Sequence, residues 1–313
     1  MHSLVRYLEQ VLLLLIFFSF KLKFVRFIEQ PFLHVNYSNI PSLPMQHSNS
    51  PAPTSGQAGQ IQARETPKGA VWLTINRAEK HNALARQVLL DLAAHVRALG
   101  QQAHVRYIVI TGAGDKYFAA GGDLRELSNV RDAHAVHTTM TDAFSSLQAI
   151  RQCPVPVIAL LNGDAIGGGG ELAAACDMRL MASHARIGYI QAKLAITSAW
   201  GGGPDLFKLV GPARAMRMMT RCELIDAATA QSWGLADTIL SDGVDGADIA
   251  AFLKPLNHCS TLVLRGIKAQ AIAARSNSSW AEHRDIEEQH LVRTWLHDDH
   301  WAAAEKLLKK TSA

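Results

Sequence analysis

The residues best suited to chemistry lie in two glycine clusters. The first, Phe118-Ala-Ala-Gly-Gly-Asp123, follows the apolar run Tyr107–Thr111; the second, Asn162-Gly-Asp-Ala-Ile-Gly-Gly-Gly-Gly-Glu171, joins an apolar run to a helical one and ends on a carboxylate. Neither is a nucleotide motif. A phosphate-binding loop ends in Lys then Ser or Thr, whereas Gly170 is followed by Glu171 and Leu172; Gly112-Ala-Gly114 meets Tyr117 where a dinucleotide fingerprint needs a third glycine. Glycines at the head of a helix serve one of two ends. They expose free backbone N–H groups, one from each loop, as an oxyanion hole for a polarised carbonyl or an enolate, or they let a strand and a helix pack closely. Spacing alone leaves both open. Glu171 stands one helical turn from such donors, where a carboxylate can carry a proton to or from carbon or orient water. Its structural alternative is a first-turn glutamate favoured by the helix dipole.

Other chemistries find no support. The 14 histidines include no H-E-x-x-H pair, no serine sits in Gly-x-Ser-x-Gly, and the four cysteines form no CxxC, so neither a metal site nor a nucleophilic triad is expected. The thiols of Cys153, Cys176, Cys222 and Cys259 read as reduced and mostly buried, those of a cytoplasmic protein. Residues 1–44 hold four cations against two anions, so only half of the net charge of +4 belongs to the remainder. No run of Lys and Arg interleaved with aromatics marks a nucleic-acid surface.

The elements that must position the glycine loops follow from periodicity. AVWLTINR (from Ala70), YIVITGAG (from Tyr107), VPVIALLNGDA (from Val155) and MRLMAS (from Met178) read as strands, with helices at 83–99, 133–150, 206–209 and 212–220 between or after them. Strands alternating with helices imply a parallel sheet of an α/β fold, and from Asp226 onward the pattern is almost wholly helical. The N-terminal run VLLLLIFFSF spans ten residues, short of a membrane helix, and lacks the small residues of a signal cleavage site. Residues 37–62 are rich in Ser, Pro, Gln, Asn and Gly, a mobile lead-in by composition, and Met45 within it is an alternative translation start. The expected organisation is a leader at 1–62, a core at 63–250 and a helical region at 251–313.

The succession AVWLTINRAEKHNAL, YIVITGAGDKYFAAGGDL and PVPVIALLNGDAIGGGGELAAACDMRL closely resembles the enoyl-CoA hydratase/isomerase (crotonase) superfamily over about residues 65 to 310. The resemblance implies a ClpP-like spiral of ββα units with a helical C-terminal extension that joins subunits and covers CoA. It further implies a homotrimer or homohexamer, and acyl-CoA thioester substrates with no cofactor beyond the CoA they carry. By the same resemblance the N–H groups of Gly122 and Gly168 hold the thioester oxygen and Glu171 is catalytic. Lys80, Ala83, Leu84 and the loop Ala120, Gly121, Asp123 line the CoA site, and Arg125 and Lys268 match positions that place a cation near the CoA phosphates.

One position departs from the pattern. Hydratases of the superfamily carry a second glutamate where this chain has Gln191, and an amide exchanges no proton, although it orients water or binds a polar substituent. Two reactions therefore fit: hydration by a hydratase-like lyase with one glutamate, and decarboxylation of a malonyl-type thioester, since Ser198-Ala-Trp-Gly-Gly202 also resembles the ethylmalonyl-CoA decarboxylase branch. A non-catalytic acyl-CoA-binding protein is the third reading.

Overall fold

Strands buried on both faces form the centre of the chain. The structure, a computed structural model, describes residues 60–241, 243–244 and 246–311. Strands β3 (Tyr107–Gly112) and β5 (Val157–Leu161) are buried at every position. Their side chains alternate: Ile108, Ile110, Val157 and Ala159 enter one hydrophobic core, Tyr107, Val109, Ile158 and Leu160 the other. An apolar residue at each position of a period-two element is the pattern of parallel strands covered on both sides. The sheet they centre has the order β1 (Ile61–Glu65), β2 (Ala70–Ile75), β3, β5, β7 (Met178–Ala182), β10 (Thr238–Leu240). Only the β1–β2 pair is antiparallel.

A second sheet, unforeseen from the sequence, carries β4 (Tyr117–Ala119), β6 (Asp164–Ile166), β8 (Arg186–Gly188) and β9 (Leu224–Asp226) in that order. The chain lays β3, β5 and β7 in the large sheet and the strand after each in the small one. It returns through α2 (Leu124–Leu127) and α3 (Ala133–Arg151), then through α4 (Gly168–Ala175), then through α5 (Gly202–Val210) and α6 (Pro212–Arg221). This is the expected spiral of ββα units. Helix α1 (Arg86–Gln101) enters the first turn by burying Val88, Leu89, Leu92 and Val96 at helical spacing, and packs on α3. After α7 (Ala227–Ser232) and β10 come α8 (Ala247–His258), α9 (Thr261–Arg275), α10 (Trp280–Trp295) and α11 (Asp298–Thr311).

Three expectations need correction. VPVIALLNGDA is two strands, because at Asn162-Gly163 the chain crosses from one sheet to the other. The Asn162 side chain holds that crossing by accepting from the Gly112 N–H at 2.9 Å and donating to the Gly114 carbonyl at 2.8 Å. The region after Asp226 contains a strand, β10, that completes the large sheet beside β7. Ile61 and Gln62, assigned to the leader, pair with Ile75 and Thr74 in β1, so the core begins within the composition shift. The remaining expectations for the leader, Met45 included, fall outside the described residues.

Candidate active site

Helix α4 is buried along its whole length, and its N-terminus meets the end of β4 because β4 and β6 are parallel neighbours. Gly122 lies three residues after β4 and Gly168 two residues after β6, so one strand pair brings both glycine clusters together. The loop after β4 is held by a bridge from Leu84, whose N–H donates to the Gly121 carbonyl at 2.8 Å. Gly121 and Gly167 both adopt positive φ, +102° and +58°, which only glycine takes without strain. Among the described residues neither the Gly122 N–H nor the Gly168 N–H has an acceptor. Both line a cavity of about 140 Å³ whose other walls include Glu171, Gln191, Met140 and Trp200.

The packing role, one of the two alternatives in the sequence, is visible here. A Cβ on Gly168 would stand 2.2 Å from the Trp200 indole, and one on Gly169 would stand 2.0 Å from the Ala119 carbonyl oxygen. Gly168 and Gly169 are thus demanded by close contact, and Gly168 still lines the cavity.

Glu171 is only 2% exposed and every part of its carboxylate is held. Oε2 accepts from the backbone N–H groups of Trp200 and Gly202, each at 3.0 Å, and Oε1 accepts from Nε2 of Gln191 at 2.9 Å. Gly202 must lack a side chain for this, since a Cβ there would lie 2.4 Å from that of Glu171. Burial raises the Glu171 carboxyl above the usual carboxylate range, opposed by the three hydrogen bonds and by the charge of Arg151. The Gln191 contact also fixes that amide: with Nε2 on the carboxylate, Oε1 is buried with no protein partner. A carboxylate and an unpaired amide oxygen side by side are two acceptors for one water molecule.

Arg151, which no sequence pattern marks, supports this arrangement. It is 9% exposed, donates from Nε to Asp205 at 2.8 Å and from Nη2 to the Trp200 carbonyl at 3.1 Å. Its guanidinium thereby braces the turn whose N–H groups hold Glu171. Tyr189 does the same from the other side, donating its hydroxyl to the Gly202 carbonyl at 2.9 Å.

The site residues read from the sequence divide into four groups. Ala120, Gly121, Gly122, Gly168, Glu171 and Gln191 share the cavity. Leu84 and Asp123 support the loop from behind it: the Asp123 carboxylate caps α2 and accepts from Arg77 at 3.0 Å. Burial works against its ionisation, and the Arg77 hydrogen bond and two N–H contacts more than offset this, holding the carboxyl below its usual range. Lys80 and Arg125 are exposed beyond the cavity lining, and Ala83 is half-buried with its carbonyl bound to Arg77. Lys268 is a correction. It is 2% exposed, with its ammonium 2.6 Å from both oxygens of Asp177, and so is neither a surface charge nor available to a phosphate.

A model of the enoyl-CoA hydratase/isomerase family matches residues 65–310. The mouse protein named methylglutaconyl-CoA hydratase, mitochondrial, is 32% identical over 239 residues, which is 74% of this chain and 75% of that one. A crotonyl-CoA hydratase of Syntrophomonas wolfei is 36% identical over 170 residues, 54% of this chain and 64% of its own. The crystal structure of an enoyl-CoA hydratase from Bacillus anthracis superposes with a TM-score of 0.74 at 26% identity, covering 80% of this chain and 97% of the other. With its ββα spiral, paired glycine loops and buried glutamate, the chain belongs to the enoyl-CoA hydratase/isomerase family.

Proposed function

We propose that the chain adds water across the double bond of an α,β-unsaturated acyl-CoA thioester, acting as a lyase. The carrying observation is Glu171, fixed by three hydrogen bonds beside two N–H groups that have no protein acceptor. The thioester oxygen accepts from Gly122 and Gly168, which draws electron density from the β-carbon and stabilises the enolate. Water bound between Glu171 and the Gln191 Oε1 gives a proton to the carboxylate as its oxygen bonds to the β-carbon. The enolate then collapses as the α-carbon takes that proton from Glu171, which returns to its starting state. Gln191 orients the water and transfers no proton.

The CoA moiety lies along the Ala120–Asp123 loop, with Lys80 and Arg125 as the cations that meet its phosphates. The exposed apolar side chains of α10 and α11, among them Leu291, Trp295 and Trp301, support assembly as a trimer or hexamer. The same reading makes it a cytoplasmic enzyme; among the described residues no helix is long and apolar enough to cross a membrane, and the described cysteines are free thiols.

The test offers the purified protein crotonyl-CoA and ethylmalonyl-CoA in parallel, following loss of the enoyl thioester absorbance and release of carbon dioxide. Hydration without decarboxylation is expected. Carbon dioxide release without hydration would replace this reading with the decarboxylase, and binding without either would make the protein a carrier.

A further inference from the structure

Trp200 stands against Glu171, Gly122 and Gly168 at once. Its backbone N–H binds Glu171. Its indole carbons Cη2 and Cζ2 lie 3.5 Å from the position a Cβ would take on Gly122, and Cζ3 lies 2.2 Å from that on Gly168. The ring therefore spans both residues that present the oxyanion N–H groups. Trp200 is 7% exposed and is shared between two cavities: that of Glu171, and a smaller one behind it lined by Leu84, Leu89, Leu127, Thr139 and Ala143. Trp200 and Leu127 line both and so stand between them.

We propose that the Trp200 indole is the floor of the acyl pocket and restricts the enzyme to short-chain thioesters. The inference rests on the hydratase reading of the same site. With the thioester oxygen on Gly122 and Gly168 and the reacting carbons at Glu171, an acyl tail leaving the β-carbon meets a ring that spans the two glycines and whose own main chain holds the glutamate. The cavity on the Glu171 side measures about 140 Å³, well below the several hundred Å³ of pockets that enclose larger ligands. Behind the ring Leu84, Leu89, Leu127 and Ala143 share the wall with Arg86, Asp123 and Glu126, so its removal would lengthen the pocket along those four apolar side chains. Glu171 keeps its contacts in such a variant, because Trp200 holds it through the main chain.

Two measurements separate this proposal from the reading beneath it. The first is calorimetric binding of the saturated thioesters butyryl-CoA and decanoyl-CoA, which needs no turnover. The native protein should prefer butyryl-CoA, and Trp200→Ala and Trp200→Leu should shift the affinity ratio toward decanoyl-CoA by about tenfold or more, the scale on which added methylenes discriminate in a fitted pocket. The second is kcat/KM on crotonyl-CoA, trans-2-hexenoyl-CoA and trans-2-decenoyl-CoA, with the same shift expected. Equal binding of the two saturated thioesters by the native protein overturns the proposal even if neither variant folds, as does an unchanged ratio in a folded variant. Absence of hydration on all three enoyl thioesters, with the binding preference intact, would instead fault the hydratase reading and leave the floor in place.

Discussion

Nε2 of Gln191 donates to Oε1 of Glu171 at 2.9 Å, and this one contact orients both side chains. It leaves the amide oxygen, buried and without a protein partner, as an acceptor for water. Gln191→Glu would set two carboxylates against each other, which must share a proton, raising the higher of their two apparent pKa values. The acid limb of the kcat/KM profile should move to higher pH in this variant. Gln191→Ala should lower kcat by about tenfold or more, the scale of a hydrogen bond to a charged group. An acid limb unmoved by Gln191→Glu would mean that the contact does not govern the reacting carboxylate.

Glu171 links activity and stability with opposite signs. Burial raises its carboxyl, so the folded chain binds that proton more tightly than the unfolded chain does. Its contribution to stability is complete below the unfolded glutamate's pKa and is lost as pH rises through the higher folded value. Activity as a base appears over the same interval, so the acid limb of kcat/KM should lie above the ordinary glutamate range. Glu171→Gln keeps an oxygen for the Trp200 and Gly202 N–H groups and removes the buried charge. Turnover should fall by roughly 10²–10⁴ while the Tm at pH 8 stays level or rises. Thermal scans of both proteins from pH 5 to 8 check this; a Tm at pH 8 well below the native value would contradict it.

Lys268 belongs to the scaffold. Its partner Asp177 also accepts from the Val157 N–H at 2.8 Å, so the pair ties α9 to the start of β5 and of β7. Lys268→Met should cost about 1–3 kcal/mol, because Asp177 loses its nearest cation and keeps only the Arg275 guanidinium at 3.6 Å and the Val157 N–H. Urea unfolding reads that loss, and KM for the CoA thioester in the surviving folded fraction should be unchanged. A raised KM at undiminished stability would return Lys268 to the CoA site.

Gly168 and Trp200 should couple. A methyl group on Gly168 strikes the indole, so Gly168→Ala in the native background should cost about 1–3 kcal/mol from overpacking. With Trp200→Ala present the space exists, and the same change should cost little. Unfolding free energies of the four proteins in this cycle would show strong non-additivity; simple additivity would disprove the contact.

The sequence was most informative where neighbours in the chain are neighbours in space. β3 and β5 are legible as unbroken apolar runs, and Glu171 is legible because the glycines that frame it precede it directly. The small sheet was missed because each of its strands is three residues long, too short to express a period. Arg151 and Lys268 were unreadable for another reason. Their partners Asp205 and Asp177 lie 54 and 91 residues away, so nothing local separates a buried, paired cation from a solvated one.

Tyr117 pairs with Asp164 and Ala119 with Ala165, so the parallel ladder shifts register between Tyr117 and Ala119, just before the loop that carries Gly122. The two anion-seeking N–H groups sit just past the ends of adjacent strands, whose spacing is fixed near 4.8 Å by their own ladder. Side chains around the cavity can be exchanged, and with them the acid, the base or the fit of the tail, while the span between these donors stays calibrated by backbone alone.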